Sequence, residues 1–86
     1  MKENWRIIDN CLIYTGIDFV AFVEPTNKPE LVKWQVRITK GDGSEDKSVI
    51  INYYYTLSLA VQDVERFFDL SIPEQREQFE MSSRVL

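Results

Sequence analysis

The segment from Leu31 to Tyr55 constrains the fold more than any other part of the chain. Val32, Trp34, Val36 and Ile38 alternate with Lys33, Gln35, Arg37 and Thr39, the period of two expected of a strand with one face buried. Gly41-Asp42-Gly43-Ser44 interrupts the pattern, and Val49-Ile50-Ile51-Asn52-Tyr53 follows it. A tight turn centred on Asp42-Gly43 predicts a hairpin in which Val36 faces Val49, Trp34 faces Ile51 and Val32 faces Tyr53. Directly opposed side chains share a face, so these six apolar residues are expected to point together into a core. The opposite face then carries Leu31, Lys33, Gln35, Arg37, Ile50, Asn52 and Tyr54.

Upstream, Trp5 to Tyr14 admits two readings. Trp5, Ile8 and Leu12 fit one face of a helix capped by Asn4, whereas Ile7-Ile8 and Cys11-Leu12-Ile13-Tyr14 have strand composition. The strand is favoured, because Thr15-Gly16 makes a turn before the β-branched and aromatic run Ile17–Val23. Glu24-Pro25-Thr26-Asn27-Lys28-Pro29 ends that run, since neither proline can donate to a ladder.

Downstream, the period changes. Leu57, Ala60, Val61, Val64, Phe67 and Phe68 recur every three or four residues and predict an amphipathic helix over 57–70, with Gln62, Glu65, Arg66 and Asp69 on its polar side. Thr56 or Ser58 can cap it. Ser71-Ile72-Pro73-Glu74 has the spacing of a capping box, with proline where its missing N–H costs nothing, and predicts a separate short helix through Glu80. The expected architecture is one α+β domain over 1–86. It is a small antiparallel sheet of about four strands packed against the C-terminal helix, followed by the short second helix.

Charge and composition narrow the function. The chain has 10 Lys/Arg and 14 Asp/Glu, and the excess acid lies in the second half. A net charge of −4 argues against bulk electrostatic binding to nucleic acid. The single Cys11 forms no internal disulfide, and no apolar run is long enough to cross a bilayer, so a soluble cytoplasmic protein is expected. The sequence contains no histidine. That removes the commonest general base and metal ligand, together with every Ser-His-Asp or Cys-His arrangement. No Gly-rich phosphate loop is present either. Asp42, Ser44 and Asp46 match the first ligand positions of a calcium loop, but Lys47 stands where the bend needs glycine and Tyr53 where the bidentate glutamate belongs. The expectation is a protein without enzymatic activity, cofactor or metal.

The face bearing Lys33, Gln35, Arg37, Ile50, Asn52 and Tyr54 is the candidate binding surface, because it mixes cations, amides, aliphatics and an aromatic. It suits a larger protein partner. A nucleic acid contacted by Lys33, Arg37 and Tyr54 is the alternative. A further layer of this chain, or a second copy forming a homodimer, would cover the same residues. The acidic helix side is a second candidate surface.

The run Trp34-Gln35-Val36-Arg37-Ile38, an Asp-Gly turn, Val49-Ile50-Ile51 and then an acidic helix resembles small accessory proteins of phages and mobile elements, compact anti-CRISPR and other anti-defence inhibitors among them. The resemblance covers the second half of the chain and concerns its organisation. It implies a non-enzymatic inhibitor that blocks a larger machine by occupying part of its surface.

Overall fold

The computed structural model describes residues 3–26, 33–41 and 48–84. Five antiparallel strands, β1 (Trp5–Ile8), β2 (Cys11–Thr15), β3 (Phe19–Pro25), β4 (Trp34–Lys40) and β5 (Val49–Tyr54), form one sheet in chain order. Two helices, α1 (Leu57–Asp69) and α2 (Ile72–Arg84), pack on one of its faces. The α+β class is as expected.

The first strand divides in two, which makes five strands rather than about four. Trp5 to Tyr14 is a hairpin whose arms meet at Ile8 and Cys11, with Asp9-Asn10 as its two-residue loop. Asp9 adopts φ 54, the positive value such loops require, and Asp is one of the few non-glycine residues that tolerate it. Thr15-Gly16 then turns the chain into β3, as its composition predicts. A side chain at position 16 would collide with the Phe68 ring, so glycine there is what lets α1 lie close to the turn.

β4 and β5 do pair antiparallel, but not in the expected register. Ile38 faces Val49 and Arg37 faces Ile50; past a bulge at Ile51, Val36 faces Asn52, Gln35 faces Tyr53 and Trp34 faces Tyr54. The β5 partner is thus displaced by two residues at Val49 and by three beyond the bulge. An even displacement leaves every side chain on its expected face, whereas an odd one exchanges them. Val49 and Ile51 therefore still reach the core, while Asn52, Tyr53 and Tyr54 each exchange faces. Trp34 packs half-buried against the core with Tyr54, not Ile51, opposite it. Val32 and the Asp42–Asp46 turn lie outside the described residues.

α1 runs as its periodicity predicts. The Thr56 hydroxyl accepts the Leu59 N–H at 3.2 Å, and Leu70 ends the helix. Ser71 and Glu74 form the capping box: the Glu74 N–H donates to Ser71 Oγ at 3.3 Å and the Ser71 N–H to Glu74 Oε1 at 3.4 Å. α2 is longer than expected, reaching Arg84 and not Glu80. Between the layers, a continuous aromatic chain runs Trp5–Tyr14–Phe68–Phe67–Phe19–Phe79, with successive ring centroids 4.3 to 5.8 Å apart. It joins the sheet to both helices through the buried cluster of Ala21, Val23, Val36, Ile38, Ala60 and Val64. Such ring pairs add about 0.5–1.5 kcal/mol each beyond the apolar area they bury.

Candidate functional site

With both helices on one face, the other face of the sheet has no layer over it among the described residues. Strand pairing sets its side chains in rows. Arg6, Ile13, Phe22, Arg37 and Ile50 form one row across all five strands; Glu24, Gln35 and Tyr53 form the next. Ile13, Phe22 and Tyr53 are half-buried by their neighbours, and Ile50 is 44% exposed.

A polar network crosses the middle of this face. Arg37 Nε donates to Glu24 Oε1 at 3.0 Å, its Nη1 donates to Ser48 Oγ at 3.1 Å, and its Cζ sits 4.3 Å from the Phe22 ring centroid. Gln35 Nε2 donates to the second Glu24 oxygen at 3.2 Å. A part-exposed ion pair of this kind adds about 0–1 kcal/mol to stability. Its larger effect is positional: the guanidinium is held over the Phe22 ring, which lowers the entropy cost of any contact it makes.

Of the expected binding residues, the structure brings Gln35, Arg37 and Ile50 together here. Lys33 is exposed just before β4, its N–H donating to Tyr54 O at 3.1 Å. Asn52 is not on this face, contrary to expectation: past the bulge it stands opposite Val36 on the helix side, exposed, where its Oδ1 accepts the Tyr53 N–H at 2.8 Å.

Tyr54 is not on this face, contrary to expectation. The odd displacement past Ile51 turns it inward, where it is buried, and its hydroxyl donates to Asp63 Oδ2 on α1 at 2.7 Å. Burial raises its pKa well above the ordinary tyrosine value by disfavouring the phenolate. The hydrogen bond and the charge of Asp63 add to the rise, and Arg66 opposes it. Tyr53 occupies the outer position instead.

Phe22, Ile13 and Glu24 were not foreseen as site residues. Phe22 and Ile13 lie in unbroken apolar runs, Phe19–Val23 and Cys11–Tyr14, which have no period of two from which a face can be read. The only signal for Glu24 was an acid one strand away from Arg37.

The acidic side of α1 also departs from expectation. Glu65 is half-buried and accepts the Trp5 indole N–H at 2.9 Å, while Asp63 receives Tyr54 and Arg66. These carboxylates fasten α1 to β1 and β5, the two edges of the sheet. Asp18 is likewise engaged, 2.7 Å from Arg76 at a cleft of about 480 Å³ beside Phe79. Among the described residues no three His, Cys, Asp or Glu side chains gather to hold a metal. No helix among them is long and apolar enough to cross a membrane.

No family model, curated protein or solved structure matches the chain.

Proposed function

We propose that this is a non-catalytic protein-binding module, an inhibitor or adaptor that acts in the cytoplasm by occupying the surface of a larger protein through the open face of its sheet. One observation carries the reading: Arg37 is pinned over Phe22 by Glu24 and Ser48, in the same cross-strand row as Ile13 and Ile50, on a face without a covering layer among the described residues. A positioned arginine within a row of apolar side chains is the composition of an interface anchor, with area from the aromatic and directed polar atoms from the guanidinium. An anti-defence role, as the likeness to phage accessory proteins implies, fits such a docking device. The nucleic-acid alternative draws less support, because the Arg37 charge is opposed by Glu24 at 3.0 Å and Tyr54, the intended stacking residue, is buried.

Affinity capture from the native host tests the proposal. A bound protein should be lost with Ile50→Lys and weakened roughly tenfold or more by Arg37→Ala, about 1–3 kcal/mol for an anchor. It should be retained by Leu59→Lys, which alters an exposed residue of α1. Retention by both sheet variants would overturn the assignment of the face. Binding of single-stranded nucleic acid that falls steeply with salt and depends on Lys33 and Arg37 would overturn the protein-partner reading itself.

A further inference from the structure

The two edges of the sheet are unlike. β5 is kinked by the bulge at Ile51, a device that spoils an edge for pairing. β1 has neither bulge nor proline, and its one charge is Arg6. Its Ile7 and Ile8 point to opposite faces and are 71% and 52% exposed.

The hydrogen-bonding parity of this edge follows from β2. The Thr15 N–H donates to Asn4 O at 3.3 Å, and the two-residue hairpin closes on Ile8 and Cys11. Alternation then directs the backbone groups of Arg6 and Ile8 toward β2 and those of Trp5 and Ile7 toward an edge with no strand beside it among the described residues. Unpaired N–H and C=O groups in this spacing are matched by another extended strand.

We propose that the occupant is β1 of a second copy, joined antiparallel about a two-fold axis through Ile7. Of the symmetric registers that satisfy the parity, two pair three of the four β1 residues with the second copy. One centres on Arg6 and sets like charges directly opposite, which is unfavourable. The other centres on Ile7: Ile7 meets its own counterpart and Arg6 meets Ile8. It also continues the buried-face row Val36, Val23, Leu12, Ile7 into the same row of the second copy. Because β5 is blunted, head-to-tail addition stops and the assembly closes as a dimer with a ten-stranded sheet instead of growing into a fibre. A four-residue junction buries far less than the ~1,200–2,000 Å² of a standard interface, so association is weak and concentration-dependent.

The test is sedimentation of the full chain from about 10 μM to about 1 mM, the range in which so small a contact should saturate. The wild type should move from 10.2 kDa toward twice that mass. Ile7→Lys and Ile7→Glu, each at an exposed position and each checked for native circular dichroism, should stay monomeric alone. Mixed together they should recover the dimer, because only the Ile7-centred register sets position 7 against itself. A wild type monomeric at about 1 mM, a dimer indifferent to both substitutions, or a mixture that fails to associate would each overturn the proposal. Loss of partner capture by Ile50→Lys with self-association intact would separate this edge from the docking face.

Discussion

Tyr54→Phe isolates the contact that ties the last strand to α1. The substitution keeps the ring and removes only the hydroxyl that donates to Asp63 at 2.7 Å. A hydrogen bond to a charged acceptor is worth about 1.5–3 kcal/mol when its loss strands that acceptor. Asp63 is not stranded, since its side chain is 39% exposed and its other oxygen accepts from Arg66 at 3.3 Å. Water can replace the phenol there, so the expected loss near neutral pH is about 1–2 kcal/mol. The pH dependence is the sharper half of the prediction. The folded-state pKa of Tyr54 lies above the unfolded value of 10.0, so the unfolded chain gives up this proton first. The contribution is therefore complete below that pH and is lost as pH rises toward the folded pKa. Roughly one unit above the unfolded value the loss reaches about 1.4 kcal/mol, which nearly cancels the advantage over phenylalanine. Urea unfolding followed by the fluorescence of Trp5 and Trp34, run on both proteins from neutral pH to about pH 11, measures the gap directly. A gap of equal size at both ends of the range, or none near neutrality, would refute the reasoning.

Gly16→Ala should destabilise by about 1–3 kcal/mol, because the new methyl meets a Phe68 ring held in place by Tyr14, 4.3 Å between centroids; thermal unfolding reads it. Ser71→Ala should cost about 1 kcal/mol in urea unfolding through loss of the α2 cap, with no change in the fold.

Several elements were legible in the sequence because their causes are local. The α1 stripe, the Thr56 cap, the Ser71–Glu74 box and the Thr15-Gly16 turn each depend on residues within a few positions of one another, and each stands where its spacing puts it. The alternation from Trp34 to Ile38 identified β4, and with it Gln35 and Arg37 as companions on one face. The division of Trp5–Tyr14 was harder to see, since Asp9-Asn10 is a short polar interruption whose turn needs a positive φ that composition only permits.

What the tertiary structure decided is which side of the sheet each β5 residue faces, and what the acids do. A strand's register is a relation between two segments, and a single bulged residue reverses every side chain beyond it. The bulge at Ile51 put Tyr54 in the core and Tyr53 outside, a result that no pattern within β5 alone encodes. Phe22, Ile13 and Glu24 reached Arg37 only through the pairing of β2, β3 and β4. Glu65, a polar-side residue by helical periodicity, and Asp63 became fasteners because Trp5 and Tyr54 arrive from opposite edges of the sheet, 60 and 9 positions away along the chain. Hydrophobic periodicity specifies which residues leave water; which neighbours they meet there depends on long-range pairing, and the docking face is built from that pairing.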